Sequence, residues 1–150
     1  MNIGDKIDNF TLPSVDGDVS LHDFLGKKVV LYFYPKDMTK GCTIEAEDFR
    51  DHMEEFESLN TVVLGISSDN LKQHQKFVEK NHLNYVLLSD EQIEVHERFG
   101  VWTQKNTFGQ EHMGTERSTF IIDEAGALEK AFRKVKVAGH VEEVLDYLKK

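Results

Sequence analysis

At 150 residues, with 39% hydrophobic and 30% charged side chains, the chain is long enough to bury a real core and is expected to form one soluble domain, 1–150. A formal net charge of −9 argues against a nucleic-acid partner, and no stretch is long and apolar enough to cross a bilayer. The single cysteine excludes an internal disulfide framework and any multi-cysteine zinc site.

The start, Met1-Asn2-Ile3-Gly4-Asp5-Lys6, lacks the basic and apolar segments of a secretory signal, so a cytoplasmic location is expected. His22, His52, His74, His82, His96, His112 and His140 show no close ligand spacing. Neither a metal site nor a cofactor is expected. The basic run Arg133-Lys134-Val135-Lys136 reads as a solvated strand end.

Residues 1–20 read as irregular or weakly paired around the turn signal Asp16-Gly17-Asp18. Ser20 caps one helical turn towards Gly26. Val29 to Tyr34 is a continuous β-branched and aromatic run, the pattern of a strand buried on both faces, and Pro35 ends it. A long helix follows. Cys42, Ala46, Phe49, Met53 and Phe56 recur at steps of four and three on one face, while Glu45, Glu47, Asp48, Arg50, Asp51, Glu54 and Glu57 fall elsewhere. Acids at its front suit the helix dipole. Thr61 to Ile66 is a second core strand, and a right-handed parallel crossover is implied. Asp69 or Asn70 caps a helix to about His82, with Leu71, His74, Phe77 and Val78 inward. Tyr85 to Leu88 is a third strand, and Asp90 starts a helix ending at Phe99-Gly100. Residues 101–114 read as an excursion without regular structure. Ser118–Ile122 and Leu128–Phe132 flank Asp123-Glu124-Ala125-Gly126 as a hairpin. Val141, Val144, Leu145 and Leu148 mark a C-terminal amphipathic helix.

A parallel β-α-β unit followed by a hairpin and a terminal helix is the order of a thioredoxin-like α/β fold: a central mixed β-sheet flanked by helices, here with an N-terminal extension. A disulfide reductase on that fold would use Cys-x-x-Cys facing a cis-proline. Cys42 has no partner, and the only prolines are Pro13 and Pro35, so a dithiol mechanism is excluded.

Cys42 opens a helix directly after a loop, where unpaired backbone N–H groups favour the reactive thiolate form. An isolated cysteine is more often a small buried hydrophobe. Against that stand the helix position, Thr39 three residues earlier, and Pro35 where the strand ends. A Thr39 hydroxyl can bond a thiolate or a substrate oxygen, or simply occupy the N-cap.

Pro35-x-x-x-Thr39-x-x-Cys42 resembles the peroxidatic motif of the peroxiredoxins. Tyr32-Phe33-Tyr34-Pro35-Lys36-Asp37 and Gly41-Cys42-Thr43-x-Glu45-Ala46 are similar to the bacterioferritin comigratory protein class, also called peroxiredoxin Q. The similarity continues through Val63-Leu64-Gly65-Ile66-Ser67, Leu87-Leu88-Ser89-Asp90, Gly100-Val101-Trp102, Arg117-Ser118-Thr119-Phe120-Ile121-Ile122-Asp123 and Gly139-His140. The resemblance implies a thiol-dependent peroxidase acting on hydrogen peroxide or organic hydroperoxides in antioxidant defence. It implies Cys42 as the attacking sulfur, Thr39 bonding the peroxide, Arg117 pairing with thiolate and departing oxygen, and Pro35 shielding the pocket. Glu45 either holds Arg117 or complements the helix dipole. Trp102 reads as packing or as part of a partner-facing patch.

Many members of the class carry a second cysteine five residues after the first. Glu47 stands there, so the oxidised sulfur needs an external reductant: thioredoxin, glutaredoxin or a low-molecular-weight thiol. Met38 and Lys40 replace the Asp and Pro common in the class, which makes the loop more positive and looser. A non-enzymatic redox sensor using Cys42 as its switch is the competing reading, and an inert core cysteine the third. Monomer and weak homodimer are both compatible with the sequence.

Overall fold

The computed structural model describes residues 1–150, the side chain at position 107 excepted. A short antiparallel hairpin, β1 (Thr11–Ser14) and β2 (Gly17–Ser20), leads into a 3-10 turn at Leu21–Phe24. Then come β3 (Lys28–Phe33), α1 (Lys40–Asp51), α2 (Met53–Ser58), β4 (Thr61–Ser67), α3 (Leu71–Asn81) and β5 (Val86–Ser89). The chain finishes with α4 (Glu94–Arg98), β6 (Trp102–Thr107), β7 (Gln110–Thr115), β8 (Ser118–Ile122), β9 (Leu128–Phe132) and α5 (His140–Leu148).

The main sheet has the order β5-β4-β3-β8-β9, with β3, β4 and β5 parallel and β8 antiparallel to both neighbours. This mixed sheet with helices on both faces and an N-terminal extension is the expected architecture. β3 lies at its centre, which accounts for its unbroken apolar run. Val30, Tyr32 and Tyr34 pack with Ala46, Phe49 and Val144 of α1 and α5, while Val29, Leu31 and Phe33 pack with Phe10, Val95 and Phe99 on the opposite face. No helix among the described residues is long and apolar enough to cross a membrane.

Close packing on the first face fixes one glycine. Tyr32 stacks on Phe49 with ring centroids 4.5 Å apart, and its hydroxyl bonds Tyr85. A Cβ on Gly65 would meet Leu87 Cδ2 at 2.7 Å and the held Tyr32 ring at 3.0 Å. Gly65→Ala is expected to cost about 1–3 kcal/mol, read as a lower urea midpoint; an unchanged midpoint would show that this face is loosely packed.

Four segments differ from expectation. The long helix is two helices, broken at His52. The His52 ring Nδ1 donates to the Asp48 carbonyl at 2.7 Å, taking the acceptor its own N–H would use, and that N–H turns back to Phe49 O at 3.2 Å. Apolar residues keep their helical spacing across the break, so the periodicity does not reveal it. Asp90 does not open α4, which begins at Glu94. Its carboxylate instead accepts the His96 N–H at 2.8 Å and Nδ1 at 2.7 Å, with Ile93 in the left-handed region at φ 53°. Residues 101–114 contain a hairpin, turned by Phe108 and Gly109 at φ 52° and 80°, the geometry of a two-residue hairpin loop. It stands off the main sheet with most side chains exposed, so it shows no hydrophobic alternation. Residues 11–20, within the stretch 1–20 read as irregular or weakly paired, form the regular β1–β2 hairpin.

Candidate active site

β3 delivers its chain end to the site. Tyr34 N–H still bonds Ile66 O at 3.1 Å, and the backbone then leaves the sheet at Pro35, which cannot donate to a ladder. Thr39 occupies the N-cap position in extended geometry (φ −81°, ψ 155°), and α1 begins at Lys40. Cys42 is therefore the third helical residue rather than the first. Thr43 N–H reaches back to Thr39 O at 2.9 Å, while the N–H groups before it have no acceptor within the helix and present partial positive charge. The first turn contains no acid, so the expected acidic helix front is absent; the acids begin with Glu45. Cys42 is 2% exposed.

Arg117 arrives on the neighbouring antiparallel strand, just before β8 begins. Ser118 pairs with Phe33 across β3 and β8, so Arg117 falls level with the point where the loop departs. Its carbonyl accepts Val135 N–H at 2.9 Å, and the neighbouring Glu116 N–H bonds Val101 O at 2.7 Å, fixing the backbone on both sides. The guanidinium forks: Nη2 donates to Cys42 Sγ at 3.3 Å and Nη1 to Glu45 Oε1 at 2.6 Å. Arg117 stays protonated. Burial works against its charge, but Glu45 and Cys42 outweigh burial and raise its pKa.

Glu45 is 1% exposed, not on a polar face. It sits three residues after Cys42, a spacing that shares a helix flank and that could have signalled its inward position. Its Oε2 has no hydrogen-bond partner among the described residues. Burial pushes the Glu45 carboxyl from an ordinary 4.5 up to about 7, with Arg117 holding it back from a higher value. Between those values the folded protein keeps a proton that the unfolded chain has lost, so stability falls as pH rises from about 4.5 to about 7. Comparing urea midpoints at about pH 5 and about pH 8, Glu45→Gln is expected to remove a slope of roughly 2–3 kcal/mol. A slope equal to the parent's would reject this assignment.

Thr39 and Pro35 lie on the loop rather than in this fork. The Thr39 hydroxyl donates to Lys36 O at 2.8 Å, which leaves its lone pairs free to accept. Lys105, on β6, was passed over by sequence reasoning because its hairpin was unread. Burial lowers its pKa, the Arg117 charge lowers it further, and the nearby Cys42 opposes them. Lys105 is thus near enough to Arg117 and Cys42 to feel both. Asp37, Asp69 and His74 are the one grouping among the described residues with metal-ligand types close together, within 4.8 Å. Asp37 Oδ2, Asp69 Oδ2 and His74 Nδ1 are already engaged in hydrogen bonds between protein groups.

The AhpC/TSA family model matches residues 3–131. The chain is 51% identical to peroxiredoxin Bcp of Bacillus subtilis, over 99% of this chain and 96% of that one. A crystal structure of Xylella fastidiosa PrxQ superposes with a TM-score of 0.95 at 38% identity, covering 99% of this chain and 96% of the other. Xanthomonas campestris peroxiredoxin Q gives a TM-score of 0.89 at 40% identity, covering 93% and 90%. That protein was solved as mutants of two different cysteines, whereas this chain has one.

Proposed function

The chain belongs to the AhpC/TSA family and is a peroxiredoxin of the Bcp/peroxiredoxin Q kind, a thiol peroxidase; from that premise we propose that Cys42 is its peroxidatic nucleophile in a one-cysteine cycle. The observation that carries this reading is the 3.3 Å bond from Arg117 Nη2 to the sulfur of the only cysteine, in the first turn of a helix. Two hydrophobic clusters on the two faces of one sheet support residues 1–150 as a single domain.

In the proposed step the Cys42 thiolate attacks the terminal oxygen of the hydroperoxide. An S–O bond forms as the O–O bond breaks, and sulfur gives up two electrons. The peroxide proton stays on the transferred oxygen, giving Cys-SOH, and the departing alkoxide or hydroxide takes a proton from water. Thr39 accepts the peroxide O–H and sets the line of attack. Arg117 and the free N–H groups of the first turn stabilise charge moving onto the leaving oxygen. Pro35 covers the site, and Glu45 holds the fork in register with the sulfur.

An external thiol then attacks the sulfenic sulfur, releasing water and forming a mixed disulfide, and a second thiol frees Cys42. Intact-mass analysis after one equivalent of hydroperoxide with dimedone is expected to show one adduct, mapped to Cys42. A thiol that stays unmodified would end this reading. Adding thioredoxin, glutaredoxin and a small thiol in separate reactions identifies the reductant, and sustained turnover separates an enzyme from a sensor. With no second cysteine to capture the sulfenic acid, excess peroxide without reductant is expected to carry Cys42 to the sulfinic mass with loss of activity. Retained activity after that treatment would require a protecting reaction.

A further inference from the structure

The loop that delivers Cys42 is gripped from its inner side. Asp37, in that loop, is only 4% exposed. Its N–H donates to Asp69 Oδ2 at 2.7 Å, its Oδ1 accepts the Tyr34 hydroxyl at 2.6 Å, and its Oδ2 lies 2.5 Å from His74 Nδ1. His74, on α3, is fully buried, and its Nε2 lies 2.9 Å from Leu88 O.

The partners fix the protons. A carbonyl can only accept, so Nε2 carries hydrogen, and the 2.5 Å contact needs a proton between Nδ1 and Asp37 Oδ2. This pairing favours the charged form of His74. The groups facing it are Tyr34 and Asp37 from β3 and its loop, and Asp69 from the turn before α3, held by Ser67 Oγ at 2.8 Å. From β5 come the Leu88 carbonyl and the Ser89 hydroxyl, which bonds Asp69 O. No lysine or arginine among the described residues bonds to this group. Burial opposes the charge on His74, but the hydrogen bond and charge of Asp37 outweigh it and raise its pKa.

We propose that His74 is a positioning residue for the peroxidatic loop: as a cation it clamps Asp37, and with it the Thr39–Cys42 segment, and loss of its proton releases the loop. Only the kinetic part of this proposal rests on Cys42 being the nucleophile. The sign follows from the raised folded-state pKa. The clamp is complete below about 6.5 and is lost as pH rises through the higher folded value.

The test uses the full chain, Asp37→Asn, His74→Gln and the double variant, without reductant. Amide hydrogen exchange over residues 36–43 is measured against pH, with α5 as an internal reference, alongside the rate of Cys42 oxidation by hydrogen peroxide. In the parent, exchange in the loop is expected to accelerate relative to α5 as pH rises through the raised His74 pKa, while oxidation slows. Each single variant should show fast loop exchange at every pH, no pH step, and oxidation slowed on the order of ten- to a hundredfold. The double variant, pairing two neutral amides, should recover slow exchange and most of the rate, still without the step. A pH step that survives in the single variants, or a parent loop that tracks α5 throughout, overturns the proposal. If a single variant fails to fold, the parent profile and the double variant still decide. If Cys42 proves unreactive towards peroxide, the exchange arm decides alone.

Discussion

Cys42→Ser is expected to keep the fold and lose peroxide turnover by a factor on the order of 10⁴ or more. The substitution changes one atom in a site that is 2% exposed, and the Arg117–Glu45 pair beside it does not depend on the thiol. A serine hydroxyl stays protonated at neutral pH and offers no sulfur lone pair to the O–O bond. Since the chain has no other cysteine, no second thiol can take over. Peroxide consumption with an excess of small thiol, corrected for the uncatalysed reaction, is the measurement. Turnover in the variant above about a hundredth of the parent's would place the chemistry somewhere other than this sulfur.

The second large effect is expected at Arg117. Arg117→Lys keeps a positive charge but has no fork, so one head group cannot serve Cys42 Sγ and Glu45 Oε1 together. A fall in the second-order rate with peroxide on the order of 10²–10³ is expected, the scale of losing a preorganised donor at developing charge. Arg117→Ala should match or exceed that loss and also destabilise the protein by about 1–3 kcal/mol, because it leaves the Glu45 carboxyl, 1% exposed, without its hydrogen-bond donor at Oε1. Adding Glu45→Gln to Arg117→Ala separates the two roles: stability should return and the rate should not. A rate that returns with stability would make Arg117 a structural partner of Glu45 and nothing more.

What the sequence made legible follows from range. Val29 to Tyr34 could be read as a central strand because both faces are buried, so no polar residue interrupts the run. The loop and Cys42 in the first helical turn were local and readable from their neighbours in sequence, although the helix begins earlier, at Lys40. Arg117 was not reachable by spacing, because 75 residues separate it from Cys42; only a family resemblance put the two together. Glu45 was assigned to the polar face because carboxylates rarely tolerate burial, and only its distant partner makes burial bearable. The β6–β7 hairpin has no buried face to impose alternation. Asp37 and His74 were visible singly, Asp37 in a motif and His74 as inward-facing, but nothing in their types announces that they meet.

The distance between Cys42 and Arg117 along the chain also orders events during synthesis. A ribosome that has released α1 has made the sulfur but not its guanidinium. The fork closes only when β8 lies against β3, a non-local pairing of the slow-forming kind. Until then the nascent chain carries an ordinary cysteine without its cationic neighbour. On the proposed assignment, reactivity towards peroxide belongs to the finished sheet, and a chain arrested short of β8 should emerge with its sulfur unspent.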